Sequence, residues 1–504
     1  MGATFDVDNP ATGQTLRALP CHSAEEVAEA MDRARRAQRA WSAQSVDARG
    51  KRLERVAEVI GRRTDEIARI VSEENGKVRG EALLHDVGPT LLVMSYFIEH
   101  APRILARETI RLAIAKHRKS HLAYVPKGVV GVITPWNFPF FMPGSDVAMA
   151  LLAGNGVVLK PSEVTPLSSL ILKECYDEGG IDPDLFQVVT GLGETGAALI
   201  DAGPDHVVFT GSVPTGRRVG VACAERMIPY TLELGGKAPA VVLDDADLDR
   251  TAGAILWGGF ANAGQVCASV ERVYATAPVY DDLVRRVTEG AQALKVGAPD
   301  NGGVVDIGAM TWSKQRDIVE SLVADAREKG AKVTTGGERV DGGLFYRPTV
   351  IADCNHDMRV MKEEVFGPVV PFMRVQSEAE AIRLANESHL GLGAYVFTKD
   401  RDRGARVAEQ LEVGSVMVND VLTHAGSPEM PWGGIRQSGL GVVRSERGLR
   451  ELCHARHVNV DRVRPLERDP FWFPYSDKQT KVTRKFVRSL YEGAASKLIR
   501  KFLT

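Results

Sequence analysis

The stretch VVGVITPWNFPFFMPGSDVAMALLAGNGVVLK, Val129–Lys160, predicts a strand, a helical run and a second strand. Three further short apolar runs follow, FQVVTG, HVVFTG and TLELGG, and helical runs separate them. Strands that are apolar on both faces and alternate with helices are typical of a parallel sheet covered on both sides. A second region of this kind begins at about Lys237 and contains RVYAT, PVVPFMRV and GAYVFT. The sequence therefore predicts an α/β fold.

The residues nearer the N-terminus predict helices. Ser23 and Glu26 have the spacing of a capping box, in which each side chain accepts a hydrogen bond from a backbone amide. The helix that they open has one apolar face, formed by Val27, Met31 and Ala34. The pattern of residues 47–77 predicts one longer helix that ends near Gly76.

A β-hairpin is predicted between these helices and Val129. Apolar and polar residues alternate in TIRLAIAKHRKSHLAYV, and the apolar positions are Ile110, Leu112, Ile114, Leu122 and Tyr124. The polar residues His117–Ser120 predict the turn of the hairpin. An exposed apolar hairpin favours pairing with a second chain.

The composition is that of an ordinary globular protein and excludes several classes. The 504 residues, 44% hydrophobic and 25% charged, exceed the length of most single cores, so we expect more than one domain. The net charge of -2 gives no electrostatic support for a nucleic-acid partner. The six cysteines include no Cys-x-x-Cys pair, so we expect neither a disulfide scaffold nor a metal site. We find no secretory leader and no apolar run that could span a bilayer, and we expect a cytoplasmic protein.

One cysteine stands in unusual surroundings. Cys267 lies in ANAGQVCASVERV, residues 261–273, among alanine, glycine, serine and asparagine. Small neighbours let a backbone or a ligand approach the sulfur closely, which favours a reacting thiol. The alternative is a buried core cysteine, which is the commoner environment of this residue type.

Polar side chains follow several predicted strands, at the edge where open α/β sheets bind ligands. Asn137, in PWNFP, has an amide that can donate to an oxyanion, or it belongs to a proline-bracketed turn. Glu163, in VVLKPSE, can accept from the hydroxyls of an adenosine ribose and disfavours a 2′-phosphate, or it and Lys160 are solvated charges. Glu233, in TLELGGK, is a candidate base because partial burial raises a carboxyl pKa, or it pairs with Lys237.

Two glycine-rich turns are candidates for binding a pyrophosphate. GLGETG, Gly191–Gly196, matches G-x-G-x-x-G after a predicted strand, but no acidic residue ends the next strand. GSVPTG, Gly211–Gly216, also follows a strand and opens a helix, whose amide end favours an anion. The pattern alone does not separate the two. Glu364 and Phe366, in KEEVFGPVV, are by themselves typical of an exposed acidic helix end before a Gly-Pro turn.

Taken together, these stretches resemble a known family. PWNFP, KPSE, FTGS, LELGGK, GQVC, EEVFGP and PWGGIRQSGLG occur in the order and approximate spacing of the aldehyde dehydrogenase superfamily, over about residues 5–460. The resemblance implies two Rossmann-like parallel-sheet domains and a β-hairpin oligomerisation element. The implied parts are an NAD-binding domain (1–107 and 127–235), a catalytic domain (236–450), an oligomerisation element (108–126 and 451–468) and an aromatic and basic tail (469–504).

The resemblance also implies a chemistry, the NAD-dependent oxidation of an aldehyde to a carboxylic acid. Cys267 corresponds to the nucleophile, and the Asn137 side chain and the Cys267 backbone N–H correspond to the donors that hold the oxyanion. Glu233 corresponds to the base that activates water for thioester hydrolysis, a carboxylate that the CoA-acylating relatives lack. Many members have an acidic residue that relays protons shortly after the final Ser-Gly-x-Gly, where this chain has Val442 and Val443.

The resemblance implies a nicotinamide cofactor, and the carboxylate of Glu163 favours NAD over NADP. Lys160 and Glu163 correspond to contacts of the adenosine ribose, and Ser212 to a contact of the pyrophosphate, since the family uses the GSVPTG turn. Glu364 corresponds to a contact of the nicotinamide ribose, with Phe366 beside the ring. The remaining expected contacts are Thr134, Pro135, Trp136, Ser162, Gly211, Gly216, Leu234 and Gly235.

Two further stretches bear on the substrate and on the tail. NDVLTHAG, Asn419–Gly426, and CASVERVY are similar to stretches of dehydrogenases for fatty, aromatic and carotenoid-derived aldehydes, which implies a medium-chain, long-chain or otherwise apolar aldehyde.

The tail contains FWFPY, Phe471–Tyr475, and then a basic segment with an apolar residue every four positions, at Val482, Phe486, Leu490, Ala494 and Leu498. Such a helix can lie on an anionic membrane through residues 476–504, or pack on a protein surface.

Family members usually assemble as homodimers or homotetramers through the hairpin and a late strand near residues 455–462, so we expect a homo-oligomer. Two other functions stay open as alternatives. A cofactor-independent cysteine esterase or hydrolase would use Cys267 without the nucleotide-binding motifs. A catalytically silent binding relative would need none of Cys267, Glu233 and Asn137, although the chain retains all three.

Overall fold

The structure is a computed structural model that describes residues 3–113, 115–298, 304–464, 467, 469, 472–493, 496–497 and 501. Ile114, Phe471, Ala494 and Leu498 of the patterns above therefore lie outside the described residues. The chain forms two compact units. The main unit contains Met1–Ile104 and Pro126–Leu452, and the hairpin unit contains Leu105–Val125 and Cys453–Thr504.

The strands, numbered along the chain, are β1 (Thr4–Asp8), β2 (Thr15–Pro20), β3 (Glu108–Ile110), β4 (Arg118–Pro126), β5 (Val129–Ile133), β6 (Gly156–Lys160), β7 (Phe186–Val188), β8 (His206–Thr210), β9 (Tyr230–Glu233), β10 (Ala238–Val242), β11 (Val270–Thr276), β12 (Lys332–Thr335), β13 (Arg339–Val340), β14 (Phe345–Tyr346), β15 (Thr349–Ala352), β16 (Val369–Val375), β17 (Leu390–Gly391), β18 (Gly393–Phe397), β19 (Ser415–Val418), β20 (Ile435–Arg436), β21 (Gly439–Leu440) and β22 (Cys453–Asp461).

The α-helices are α1 (Ala24–Ser42), α2 (Val46–Arg62), α3 (Thr64–Asn75), α4 (Arg79–Ala82), α5 (Gly88–Ile104), α6 (Phe141–Leu152), α7 (Leu167–Glu178), α8 (Gly193–Asp201), α9 (Val213–Glu225), α10 (Leu248–Phe260), α11 (Ala277–Ala293), α12 (Ser313–Glu328), α13 (Glu378–Asn386), α14 (Arg401–Ala408), α15 (Ser445–Glu451) and α16 (Asp477–Ser489). One π-helical turn joins α4 to α5 at Leu83–Val87, and short 3-10 turns occur at Ala261–Gly264, Arg359–Met361 and Thr423–Ala425.

The first sheet of the main unit has six strands in the order β21–β9–β8–β5–β6–β7. Strands β5 to β9 run parallel, and β21 pairs antiparallel with β9. The chain winds outward from β5 to β7 and returns to β8 on the other side of β5. The strand order therefore reverses between β5 and β8, and open α/β sheets bind ligands at the carboxyl ends of the strands beside such a reversal.

The second sheet has seven strands in the order β12–β15–β16–β11–β10–β18–β19. Its strands run parallel except for the edge strand β12. The two sheets confirm the predicted α/β fold and contain all the strands that were predicted from the apolar runs. Strand β21 lies beyond residue 235, the predicted end of the NAD-binding domain, and yet it joins the first sheet. The boundary between an NAD-binding and a catalytic domain stays a prediction.

The N-terminal helices confirm one prediction and correct another. Ser23 and Glu26 form both hydrogen bonds of the capping box at the start of α1. The apolar face of α1 packs in one cluster with residues of β5, β6 and α8. The single helix predicted over residues 47–77 is wrong, because the backbone leaves the helical conformation at Arg63, with φ -96° and ψ 14°. The second part, α3, ends as predicted at Gly76, which takes a left-handed φ of 90°.

The hairpin unit contains a three-stranded sheet in the order β22–β4–β3. A hairpin is found, but the predicted turn at His117–Ser120 is wrong, because β4 begins at Arg118 and Ile110 pairs with Ser120. Leu112 follows β3 and is not in a strand. The Tyr124 hydroxyl also donates a hydrogen bond across the two strands, to Glu108 at 2.7 Å. The late strand predicted near residues 455–462 is β22.

No helix in the described part of the chain combines the length and the hydropathy needed to cross a bilayer.

Candidate active site

The predicted cofactor residues lie at one edge of the first sheet. The parallel strands β5, β6, β8 and β9 point the same way, so the segments that follow them meet at their carboxyl ends. These segments carry Thr134–Asn137, Lys160–Glu163, Gly211–Gly216 and Glu233–Gly235. The structure thus brings together most of the residues that the motifs predicted, although long stretches of chain separate them.

Lys160 and Glu163 form an ion pair after β6. The Lys160 ammonium lies 3.2 Å from a Glu163 carboxylate oxygen, and Lys160 is only 5% exposed. The alternative of two solvated charges is therefore wrong for Lys160. Ser162 is buried between them and accepts a hydrogen bond from the Val164 amide at 3.2 Å. The Thr134 hydroxyl, buried at the end of β5, has no hydrogen-bond partner among the described residues.

The two glycine-rich turns occupy different places in the sheet. GSVPTG follows β8, the strand beside β5, and the Ser212 hydroxyl caps α9 by accepting from the Thr215 amide. Leu234 packs closely against Gly216, where a Cβ atom would lie 2.3 Å from one of its methyl groups. GLGETG follows β7, which is an edge strand, so this turn lies away from the reversal of strand order.

The small residues around Cys267 have a structural cause. Asn262, Ala263 and Gly264 all have left-handed φ angles, of 52°, 53° and 72°. A Cβ atom on Gly264 would lie 2.1 Å from the Gly367 carbonyl oxygen, and one on Gly236 would lie 2.1 Å from the Cys267 carbonyl oxygen. The loop thus needs small residues because other backbone segments approach it closely.

Cys267 itself is half-buried and lines a cavity, whereas four of the other cysteines are buried. This position disfavours the alternative of a core cysteine. Burial raises the pKa of the Cys267 thiol to about 12, and the negative charges of Glu364 and Glu233 act in the same direction. The guanidinium of Arg444 lowers the same pKa.

Asn137 lies beside the cysteine loop. Its side-chain amide donates one hydrogen bond to the Gln265 carbonyl at 3.0 Å, and an amide group has a second hydrogen to donate. Its backbone carbonyl accepts from the Lys77 ammonium at 2.8 Å and from the Asn262 side chain at 2.9 Å. Lys77 also pairs with Asp86 at 2.7 Å, and both side chains are fully buried. No sequence pattern indicated this ion pair, which holds the loop that carries Asn137.

Glu233 ends β9 and is 3% exposed. Neither carboxylate oxygen has a hydrogen-bond partner in the part of the chain that the structure describes. The alternative of a Glu233–Lys237 pair is wrong, because Lys237 pairs with Glu271 at 2.9 Å. Burial raises the pKa of Glu233 well above its ordinary value, while the charge of Arg444 opposes the change.

Glu364 and Phe366 lie in a loop rather than at an exposed helix end. The Gly236 amide donates to Glu364 at 2.9 Å, and burial raises the pKa of Glu364 to about 8. The Phe366 amide donates to the buried carboxylate of Glu271 at 2.7 Å. The Phe366 ring meets the Trp136 ring edge to face, with the centroids 5.2 Å apart. A second buried ion pair, Lys237–Glu271, therefore holds this loop, and the sequence analysis did not find it.

The cavity at Cys267 has a volume of about 160 Å³. For comparison, an apolar cavity of about 150 Å³ in another protein binds benzene. Most of the side chains that line the cavity are aromatic or aliphatic, among them Phe138, Phe141, Met142, Trp257, Leu422 and Trp432. His85 also lines it, and burial lowers the pKa of His85 to about 4, so this side chain is neutral near pH 7. The cavity can hold an apolar group directly beside the thiol.

Comparison with known proteins agrees with this arrangement. The aldehyde dehydrogenase family model matches residues 1–458. One relative, the 4,4'-diapolycopene aldehyde oxidase of Methylomonas sp, is 39% identical over 491 residues, which are 97% of this chain and 91% of the relative. Another, a putative NADP(+) succinate-semialdehyde dehydrogenase of Mycolicibacterium smegmatis, is 36% identical over 459 residues, which are 90% of this chain and 88% of the relative.

Among solved structures, betaine aldehyde dehydrogenase from Staphylococcus aureus in complex with NAD+ matches with a TM-score of 0.88 and 32% sequence identity. The match covers 94% of this chain and 94% of that chain. The resemblance found in the sequence is thereby confirmed. The chain therefore belongs to the aldehyde dehydrogenase family, whose members are oxidoreductases that convert aldehydes to acids with nicotinamide cofactors.

Proposed function

We propose that this protein oxidises medium-chain, long-chain or otherwise apolar aldehydes to carboxylic acids with NAD+. The observation that carries the proposal is the apolar cavity beside Cys267. Burying apolar surface stabilises a complex by roughly 25 cal/mol per Å², so each additional methylene that enters the cavity strengthens binding by about 0.8 kcal/mol. The identity of 39% with a relative named for a diapolycopene aldehyde supports the same class of substrate.

In the proposed first step, the Cys267 thiolate attacks the aldehyde carbon and a thiohemiacetal forms. The negative charge on its oxygen is held by the free hydrogen of the Asn137 amide and by the Cys267 backbone N–H. Loss of one such donor typically lowers the rate by about 10²- to 10³-fold. Bound NAD+ supplies the acceptor for the hydride that leaves the same carbon, and the product on Cys267 is a thioester.

In the proposed second step, Glu233 removes a proton from a water molecule, and the water oxygen attacks the thioester carbon. The bond between carbon and sulfur breaks, the acid leaves, and Cys267 returns as the thiolate. Glu233 fits this role because its carboxylate is buried without a hydrogen-bond partner, which leaves both oxygens available to water. A carboxyl pKa raised towards neutrality also makes a better base at neutral pH.

The choice of NAD over NADP is supported by the Lys160–Glu163 pair at the end of β6. A carboxylate at this place accepts from the ribose hydroxyls and repels a 2′-phosphate. The pyrophosphate would lie at the amide end of α9, near Ser212 and Gly211, and Glu364 and Phe366 would contact the nicotinamide end. The unpartnered Thr134 hydroxyl, at the same edge of the sheet, is available to a ligand.

The test is the initial rate of NADH formation with straight-chain aldehydes from acetaldehyde to hexadecanal, with NADP+ measured in parallel. We expect kcat/KM to rise with chain length until the added carbons fill the cavity beside Cys267, and to be higher with NAD+. The control is Cys267→Ser, which should form no NADH. A preference for short or acidic aldehydes would overturn the substrate class, and equal rates with NADP+ would overturn the cofactor choice.

The same experiment separates the two alternative functions. A cofactor-independent cysteine hydrolase would cleave esters at the same rate with and without NAD+, and it would produce no NADH from any aldehyde. A catalytically silent relative would show neither activity. NADH formation that depends on Cys267 would exclude both.

We also propose a peripheral contact between the tail and an anionic membrane. No residue of α16 is buried, and its apolar face exposes 62% of Val482 and 45% of Phe486. Trp472 and Tyr475 before the helix are 56% and 66% exposed. The same helix carries the basic residues Lys478, Lys481, Arg484, Lys485 and Arg488. A basic helix with an unburied apolar face and neighbouring aromatic residues has the properties of an interfacial helix, and each basic residue near anionic lipid contributes about 1 kcal/mol.

The membrane contact is tested by sedimentation with vesicles of phosphatidylglycerol or of phosphatidylcholine alone. We expect the full chain to sediment with the anionic vesicles, and a chain without residues 476–504 to stay in solution. Phe486→Ser, which keeps every charge, should weaken binding, because the apolar face also contributes. Equal sedimentation of the full and shortened chains would overturn this proposal and favour a protein partner for α16.

The assembly and the compartment complete the proposal. The sheet of the hairpin unit has β22 and β3 as its edge strands, and exposed edges favour pairing with a second copy. We propose a homodimer or homotetramer that uses this unit, and Val460→Lys on β22, where Val460 is 47% exposed, should reduce the mass measured by sedimentation equilibrium. All six cysteines are free thiols, which a reducing cytoplasm maintains.

A further inference from the structure

An arginine that the proposed mechanism does not use lines the cavity at Cys267. Arg444 is 1% exposed, and its guanidinium carbon lies 5.4 Å from the ring centroid of Phe141 and 5.4 Å from that of Trp432. Both rings line the cavity as well. The backbone of Arg444 has a φ of 57°, an uncommon conformation for a long side chain. The chain thus places a cation between two aromatic rings at the reaction site, at a conformational cost.

This cation and the predicted base both have buried polar atoms without a hydrogen-bond partner among the described residues. The Nε and Nη2 atoms of Arg444 have no hydrogen-bond partner among the described residues, and neither do the two carboxylate oxygens of Glu233. Burying a charged group without hydrogen bonds is costly. A cation and a titratable carboxyl group kept in this state are typical of a reaction site, where neighbouring charges rather than solvent tune ionisation.

The charged and titratable groups around Arg444 come from several elements of the main unit. Those that interact with Arg444, Cys267 or Glu233 are Asp146 of α6, Glu364 of the loop after Met361, His424 of a 3-10 turn and Glu451 of α15. Burial lowers the pKa of His424 to about 4, so it carries no charge near pH 7. The acidic groups oppose ionisation of Cys267 and Glu233, and Arg444 is the positive charge that acts on both.

We propose that Arg444 is a positioning residue of the oxidation, whose guanidinium stabilises the Cys267 thiolate before attack and the Glu233 carboxylate before hydrolysis. This inference rests on the roles proposed above for Cys267 and Glu233. Its physical basis is that an opposite charge nearby favours the ionised form of an acid, most strongly where water is excluded. The aromatic rings hold the cation in place without neutralising it.

A purely structural role makes a different prediction. If Arg444 only filled the space between Phe141 and Trp432, an apolar side chain of similar length would replace it, because exchanging a buried charge for a hydrophobic residue is often neutral or stabilising. Arg444→Met would then leave the ionisation of Cys267 unchanged. Arg444→Lys keeps the positive charge but loses the planar group, so it separates charge from shape.

The test measures the rate at which iodoacetamide alkylates Cys267 as a function of pH, in the full chain without cofactor. We expect alkylation of Cys267 at a fixed pH between about 7 and 9, well below the pKa of this thiol, to be about tenfold slower in Arg444→Met, the effect of a pKa higher by about one unit. Arg444→Lys should restore most of the lost rate. An Arg444→Met profile that superimposes on that of the wild type would overturn the proposal and leave Arg444 as a packing residue.

A second variant covers the case in which Arg444→Met does not fold. The negative charge of Asp146 raises the pKa of Glu233. Asp146→Asn should therefore move the midpoint of the pH profile of acyl-enzyme decay to lower pH, whereas Arg444→Lys should leave that midpoint close to the wild-type value. A decay profile that Asp146→Asn does not move would overturn the proposal that the charges around Arg444 set the ionisation of Glu233.

The failure of this proposal is distinguishable from failure of the proposed function. Mass spectrometry of the alkylated protein identifies the labelled cysteine, and Cys267→Ser is the control. If the label lay on another cysteine, or if Cys267→Ser still oxidised aldehydes, the role of Cys267 would be wrong. If only Cys267 were labelled and the profiles coincided, the inference about Arg444 would be wrong.

Discussion

Removal of the buried Lys77 ammonium, which contacts the loop that carries Asn137, should lower the free energy of unfolding more than removal of an exposed cation. The ammonium of Lys77 lies 2.7 Å from Asp86, and both side chains are fully buried. Asp86 also accepts from the backbone amides of Phe140 and Phe141, each at 3.1 Å. Lys77→Met would leave the Asp86 carboxylate buried without its counter-ion, and breaking a buried pair in this way costs about 3–5 kcal/mol. The Asn137 carbonyl would lose its contact with the ammonium as well.

The assay is urea unfolding followed by tryptophan fluorescence, with the rate of NADH formation measured on the same samples. Lys173→Met is the matched control, because Lys173 pairs with Asp177 on the surface of α7, where such a pair contributes about 0–1 kcal/mol. In Lys77→Met/Asp86→Asn the buried charge is gone while an amide oxygen can still accept from the two backbone amides. We expect this double variant to recover part of the loss. Equal unfolding midpoints for Lys77→Met and Lys173→Met would refute the reasoning.

Four further predictions concern the cofactor and the base. Gly216→Ala should raise the KM for NAD+ by about tenfold, because the new methyl group would lie 2.3 Å from a Leu234 methyl. Gly220→Ala on the same helix is the control. Its methyl group would meet its nearest neighbour at 3.5 Å, so the KM should stay unchanged. Glu233→Gln should keep a first burst of NADH but lower the steady-state rate by about 10²- to 10⁴-fold. Because burial raises the pKa of Glu233, the wild-type steady-state rate should rise with pH over a range that lies above the range of an ordinary carboxyl group, and a rate independent of pH would contradict the role of this base. Glu163→Gln should raise the ratio of kcat/KM for NADP+ to kcat/KM for NAD+ by about tenfold, because it removes roughly 1.4 kcal/mol of repulsion of the 2′-phosphate. An unchanged ratio would show that Glu163 does not select the cofactor.

The parts of the fold that the sequence predicted are those in which neighbouring residues determine the structure. Apolar runs separated by helices predicted β5 to β9 of the first sheet and β11, β16 and β18 of the second, and the capping box predicted the start of α1. Motif order then predicted which segments meet at the sheet edge. These features follow from local periodicity and from chain direction in a parallel sheet.

The parts that the sequence did not predict depend on partners distant in the chain. Lys77 reaches the carbonyl of Asn137, and Glu271 reaches the amides of the loop that carries Phe366. Neither contact joins residues at a regular spacing along the chain, so a sequence pattern cannot reveal it. Arg444 was missed for the same reason, because the charges that surround it come from separate elements. The hairpin turn was misplaced because Ile110 pairs with Ser120, a register that the alternation of apolar and polar residues did not reveal.

The left-handed run Asn262–Gly264 limits how this enzyme could be re-engineered. Branched or bulky residues rarely adopt a positive φ, and each such residue costs of the order of 1–3 kcal/mol. A randomised library over this loop would therefore consist mostly of clones that misfold. Trp257 and Met142, which lie in ordinary helices, carry no such restriction. Variants that accept other aldehydes are better sought by substituting these two residues of the cavity wall, with the loop left unchanged.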